Sequence, residues 1–200
     1  MTAASAPASI MQRILPALVL GLALSAGAAT EIEGVAFADE VEIGSKRLQL
    51  NGAGLRKRFF FKVYVVGLYL TSPAGTATEA LAADGPKRVR IVTMREVAAE
   101  KFAGALMDGV RANQTPEGYA RIEARVLDLR SRILAKGSAA EGTEIVLDLL
   151  PEAGTMMRVN GAPLGDPIPG PDFQRALLSV WLGHEPVDRG LRDALAPTRP

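Results

Sequence analysis

Hydrophobic and polar positions in the first half of the chain follow the two-residue repeat of β-strands, and residues 34–37, 41–43 and 48–50 read as short strands. A much longer apolar run covers residues 59–70. It is rich in β-branched and aromatic side chains and apolar on both of its faces, the pattern of a central strand covered on both sides. Residues 88–94 place Arg88, Arg90 and Val92 opposite Val89, Ile91 and Thr93, which suits a sheet with one partly wetted face. The period then changes. Phe102, Leu106 and Val110 mark one helix, and Tyr119, Ile122, Val126, Leu129 and Ile133 mark a second. Gly118 and Gly137 bracket the second helix, and Pro116 separates the two. Strands return at 144–149 and 155–159, followed by Asn160-Gly161, a hairpin signal because both residues tolerate positive φ. Pro171 suits the opening of a helix whose apolar spacing runs through 176–182, with Gly183 expected to stop it in a left-handed conformation. Asp188 is placed to cap a last short helix over 189–195.

Strands, a helix pair, more strands and terminal helices predict an α+β architecture in which helices cover one face of a largely antiparallel sheet. Strands and helices do not alternate as in a βαβ array, and neither a dinucleotide fingerprint nor a phosphate loop is present. Neither a repeat nor a long linker breaks up residues 29–200, so they are expected to form one domain.

The first 28 residues carry a different message. Arg13 precedes an apolar run over 14–24, and the small residues Ala26 and Ala28 then fit a signal-peptidase site. The run is about half the ~20 residues that a membrane-spanning helix needs, so the expectation is a cleaved signal peptide over 1–28 and a periplasmic protein without a stable anchor. Either Met1 or Met11 could be the start. Removing this segment takes away one cation and no acid, which leaves equal numbers of basic and acidic residues. A neutral balance argues against a nucleic-acid partner and against a polybasic membrane patch. The chain has no cysteine, so disulfides, thiol chemistry and thiolate metal sites are excluded and burial must hold the fold together.

Few residues offer chemistry. The one histidine, His184, falls past the expected helix stop and reads as a surface residue, and no carboxylates are spaced as metal ligands, so neither metal nor cofactor is expected. A Gly-x-Ser-x-Gly elbow is also missing. What stands out is Asn51-Gly52-Ala53-Gly54-Leu55-Arg56, just before the long apolar run. The glycines suggest a bend that directs Arg56 into the space the strand encloses, with Lys57 and Arg58 at its rim. There Arg56 would be a guanidinium fork for a carboxylate or oxyanion; otherwise it is a solvated arginine. Tyr64, in the middle of the long strand, is either a second donor to the same anion or a phenol satisfied by a backbone carbonyl in the core. By period two, its face also carries Lys62, Val66, Leu68 and Leu70. Val66, Phe102, Leu106, Trp181 and the phenylalanines at 59, 60 and 61 read as core, and would line a pocket only if sheet and helices splay apart.

These residues also carry a resemblance. The run Gly52-Ala53-Gly54-Leu55-Arg56, followed by Phe61-Lys62-Val63-Tyr64-Val65-Val66-Gly67-Leu68-Tyr69-Leu70, resembles the signature strand of chalcone isomerase-fold proteins. Glu100-Lys101-Phe102, the Asn160-Gly161 turn and Ala176-Leu177-Leu178-Ser179-Val180-Trp181-Leu182-Gly183 follow in the order of the bacterial branch, so the resemblance spans about residues 35–195. It implies the open-faced β-sandwich of that family, which holds chalcone-cyclising enzymes, non-catalytic relatives and fatty-acid binders. Arg56 falls on the arginine that activates the substrate phenol in the enzymes and holds the carboxylate in the fatty-acid binders. Tyr64 stands where the enzymes have threonine and the fatty-acid binders tyrosine. The enzymes' tyrosine, asparagine and Ser/Thr fall near Ala98, Ala105 and Gln174.

The expected function is therefore non-catalytic binding of a fatty acid or similar hydrophobic carboxylate through Arg56 and Tyr64, with the lining contributed by Val66, Phe102, Leu106 and Trp181. Alanines at 98 and 105 cannot support the hydrogen-bonded network that cyclisation of an unsaturated ketone requires. An intramolecular lyase and a ligand-free scaffold are the alternatives. A scaffold would show a closed core and an outward Arg56.

Overall fold

A computed structural model of the chain describes residues 1–2 and 29–198; the signal-peptide segment expected over 1–28 lies, apart from Met1 and Thr2, outside the described residues. Strands β1 (Ala29–Ile32) and β2 (Val35–Ala38) form an antiparallel hairpin. The main sheet is antiparallel throughout and keeps sequence order: β3 (Glu40–Ile43), β4 (Lys46–Arg58), β5 (Phe61–Leu70), β6 (Lys87–Thr93), β7 (Glu144–Leu150), β8 (Gly154–Val159) and β9 (Ala162–Pro163). Helix α1 (Ala77–Ala82) follows β5, α2 (Ala99–Ala112) and α3 (Pro116–Lys136) sit between β6 and β7, and α4 (Pro171–Leu182) and α5 (Arg189–Leu195) close the chain. The mixed α+β class and the helix-covered antiparallel sheet are those that the periodicity predicts.

The long apolar strand is β5, and it is central. Tyr64, Val66, Leu68 and Leu70 point into the larger core beneath the helices, where Trp181, Phe173 and Leu177 of α4 are almost wholly buried. On the opposite face Val65 and Tyr69 pack with Phe37 of the β1–β2 hairpin and Leu48 of β4. Both faces are thus removed from water, which explains why this run lacks the alternation of a half-wet strand. Beyond that hairpin the outer face of the sheet is polar: Asp148 is buried between Arg88 (2.6 Å) and Arg158 (2.5 Å), and Arg90 pairs with Glu144 (2.6 Å).

Several local expectations are corrected by long-range packing. Residues 51–56 do not bend away; β4 runs unbroken through them, and the strand expected over 48–50 is thirteen residues long. The glycines are there because α5 lies against them: a Cβ on Gly52 would sit 2.2 Å from the Ala194 carbonyl oxygen, and one on Gly54 2.8 Å from Ala194 Cβ. Asn51 is the extra residue of a β-bulge; its Nδ2 donates to Leu195 O (2.8 Å) and its Oδ1 accepts from Ala74 N (2.7 Å), tying strand, loop and last helix together. A second bulge at Val63 breaks the period, so Lys62 leaves the Tyr64 face and pairs instead with Glu33 of the β1–β2 turn (2.5 Å).

The strand expected from residue 59 begins at Phe61. Phe59 (φ 54°) and Phe60 form the tip of the β4–β5 hairpin, and the three phenylalanines expected in the core are exposed by 84%, 96% and 59%. Pro116 does not separate the helices but starts α3, whose N-cap Thr115 accepts from Gly118 N (3.0 Å). Gly183 ends α4 in extended backbone (φ −71°), not left-handed; its lack of a Cβ makes room for the Asn113 side chain, whose Oδ1 would lie 2.0 Å from one. The Asn160-Gly161 turn (φ 49° and 79°) and the Asp188 cap of α5 (Leu191 N to Oδ1, 3.0 Å) take their expected form.

Candidate functional site

Arg56 and Tyr64 are direct cross-strand partners on β4 and β5, and both side chains face the helices. The glycine at 54 admits α5 beside them, and the bulge at Val63 adjoins Tyr64 on β5. From above, α4 lowers Trp181, whose indole Nε1 donates to Tyr64 Oη (3.0 Å). Because indole nitrogen only donates, Tyr64 accepts here and keeps its own O–H proton for another acceptor. The Arg56 guanidinium carbon lies 5.6 Å from the centre of the Tyr64 ring, and Arg56 Nε is buried without a hydrogen-bond partner. None of the ion pairs among the described residues involves Arg56.

These groups line one end of a cavity of about 80 Å3 between β5, α2 and α4. Phe102, Ala105 and Leu106 of α2, with Val180 and Val187, make the rest of it mostly apolar, and Lys101 and Arg58 stand at the rim. Burial pushes the Tyr64 phenol above its ordinary pKa; the Arg56 charge and the polar contacts with Trp181 and Arg56, which pull it down, offset this only in part, and the Asp188 charge adds to the rise. Tyr64 is therefore a neutral donor at physiological pH. The lining residues supply donors and cations, and the carboxylate within electrostatic reach of Tyr64, Asp188, is engaged in capping α5 (Leu191 N to Oδ1, 3.0 Å), so the site suits holding an anionic or carbonyl oxygen better than general-base chemistry.

Of the residues expected here, Arg56, Tyr64, Phe102, Leu106 and Trp181 meet around this one cavity. Val66 does not; it is fully buried core one step deeper along β5, beyond the cavity's floor. Ala105 lines the cavity, Ala98 lies nearer the β4–β5 tip, and Gln174 is remote from it, donating to Leu150 O (2.8 Å) under another part of α4. Sequence reasoning missed Val63, Val180 and Val187, and also Val97 and Lys101 at the start of α2. The signal for the last two was position alone: Val97 precedes α2 and Lys101 lies one turn into it, on the side facing Phe102's cavity.

Phe102 and Val97 also border a second cavity of about 270 Å3, lined on its far side by Ile133, Ile145, Met157 and Val159. Phe102 and Val97 are thus common to the linings of both spaces. Thr93, next to Tyr64 in the sheet, is not free to join the site, since its hydroxyl donates to Ala140 O (2.6 Å).

A curled antiparallel sheet with a helical layer, and an arginine and a tyrosine meeting between them, defines a fold that is matched among known proteins. Residues 29–196 match the chalcone isomerase-like family, and the chain belongs to it. Among solved structures it is similar to a fatty-acid binding protein from Arabidopsis thaliana, with a TM-score of 0.68 at 18% identity, covering 84% of this chain and 96% of that one. At that identity the likeness is one of fold. No curated protein matches the sequence.

Proposed function

We propose that this protein is a non-catalytic carrier of a hydrophobic carboxylate such as a fatty acid, and that it works in the periplasm after cleavage of residues 1–28. The observation that carries the binding reading is the buried, unpartnered Nε of Arg56 beside a tyrosine whose proton is uncommitted, at the end of an apolar cavity. A carboxylate satisfies both donors at once, and charge-assisted bonds of this kind are worth about 1.5–3 kcal/mol each. An acyl tail adds ~0.8 kcal/mol per buried methylene.

Size sets the condition on this reading. A cavity of about 80 Å3 holds a headgroup and little tail, well below the ~300 Å3 or more usual for small-molecule sites. Rotation of Phe102 about its side-chain bonds would join it to the 270 Å3 space behind, giving the tail a route past Ile145 and Met157. The fatty-acid binding neighbour supports a hydrophobic ligand, and the alanines at 98 and 105 leave cyclisation of a chalcone without polar partners for the ketone.

Protein purified from a periplasmic fraction, extracted with organic solvent and analysed by mass spectrometry, should release lipid carboxylates and show an N-terminus at Ala29. Arg56→Ala combined with Tyr64→Phe should lower occupancy by about tenfold or more, the equivalent of one charge-assisted hydrogen bond. Equal occupancy in the variant would remove the site, and Arg56-dependent turnover of a chalcone would replace binding with catalysis.

A further inference from the structure

The three phenylalanines at the β4–β5 tip are the largest apolar side chains left in water among the residues from 29 to 198, and they are consecutive. Burial does not explain them, since neither core cluster includes them. Nor is the turn relaxed: Phe59 holds φ at 54°, a conformation that a bulky residue adopts only at a cost. Charge is concentrated at the same place. Lys57 and Arg58 flank the tip on β4, Arg95 stacks its guanidinium 4.8 Å from the centre of the Phe61 ring, and Lys101 faces the tip from α2. The hollow they surround is lined by Arg58, Arg95 and Lys101 against a single acid, Glu96. The balanced charge of residues 29–200 therefore conceals a local excess of cations around an aromatic point.

We propose that this tip docks on an anionic phospholipid surface, Phe59 and Phe60 entering the headgroup layer while Lys57, Arg58, Arg95 and Lys101 lie against the lipid phosphates. Area argues for a bilayer over a second copy of the chain. Three phenylalanines offer at most about 600 Å2, short of the ~800 Å2 per partner of a stable protein interface. A bilayer needs no matching surface; it needs a short apolar insertion together with a basic patch, and neither alone is sufficient for lasting attachment. Position gives the docking a use. Arg58, Val63, Val97 and Lys101 line both the hollow under the tip and the Arg56–Tyr64 cavity, so the tip would hold the cavity's rim against the membrane. Ligand exchange with the bilayer rests on the carrier reading; the docking itself does not.

The test uses protein and vesicles alone, without fatty acid, so the two readings fail separately. Co-sedimentation with vesicles of mixed phosphatidylglycerol and phosphatidylcholine should show binding that falls by about tenfold or more with pure phosphatidylcholine, and likewise on raising the salt to ~1 M. Phe59→Ser with Phe60→Ser should lose about tenfold or more of the partitioning, and so, separately, should Lys57→Glu with Arg95→Glu. These variants share every other residue with the parent, so the difference reads the tip. Equal binding to neutral and anionic vesicles, unchanged binding by either variant, or absence of binding overturns the proposal. So does a concentration-dependent dimer in sedimentation velocity that the serine variant abolishes, since the occupant would then be a second copy.

Discussion

The two ends of the β4–β5 hairpin are built from one pair of strands and yet do opposite things. At the inner end every special residue is consumed by packing: Gly52 and Gly54 admit α5, Asn51 spends its amide on Leu195 and Ala74, and Leu68 and Leu70 are sealed in the core. At the outer end the special residues are left with capacity. Arg56 Nε is unpartnered, Tyr64 retains a proton to donate, and three phenylalanines face water. The crossing from one regime to the other lies within a few residues, between Gly54 and Arg56 on β4 and between Val66 and Tyr64 on β5. A rigid inner end is what can hold an incompletely satisfied outer end in place, since unpaired buried donors are costly unless their surroundings fix them.

The sharpest way to break this contrast is at Gly52. Gly52→Val places side-chain carbon where the backbone of Ala194 and Leu195 lies, and should cost about 3 kcal/mol or more, read as a lowered midpoint in denaturant unfolding. A loss below ~1 kcal/mol would mean that α5 is not held against β4.

A smaller effect should appear on the alkaline side. Burial raises the Tyr64 pKa above its usual 10.0, so the folded state holds the phenolic proton more tightly than the unfolded chain does. The stability this provides is complete below about pH 10 and is lost as the pH rises through the folded-state value. Tyr69, raised by burial as well, contributes to the same decline. Tyr64→Phe should therefore make the fall in unfolding free energy above about pH 10 shallower without abolishing it. An unchanged slope would place Tyr64 in contact with water.

The smallest expected effect is at the tip. Phe60→Ser should leave the unfolding free energy within about 0.5 kcal/mol of the parent, because a side chain 96% exposed loses no packing. A larger destabilisation would show that the tip is held by the fold and is not free for a surface.

Much of this was legible before the structure. The strands of the β-rich half, the two helices of the middle, the Asn160-Gly161 turn and the Asp188 cap all rest on signals within a few residues, which local sterics and hydrogen bonding decide. Arg56 and Tyr64 stood out for the same reason, as polar residues in an apolar setting. The errors share another cause. Phe59, Phe60 and Phe61 read as core because hydrophobicity marks what would be buried and not where the chain turns, and Gly52 and Gly54 read as a bend because glycine's tolerance of turns looks the same as its tolerance of a close neighbour. The bulge at Val63, which moves Lys62 to the other face, leaves no trace in a two-residue period.

By itself the sequence determined the class of fold, the order of its elements, the absence of thiol chemistry and the pair of residues on which a binding site could be built, because each follows from periodicity, composition or side-chain type. Only the tertiary structure decided that Trp181 meets Tyr64, that α5 needs glycines on β4, how small the Arg56 cavity is, and which aromatic residues remain in water. The physical reason is separation: Asn51 and Leu195 touch across 144 residues of chain, and contacts of that kind depend on how every intervening element packs.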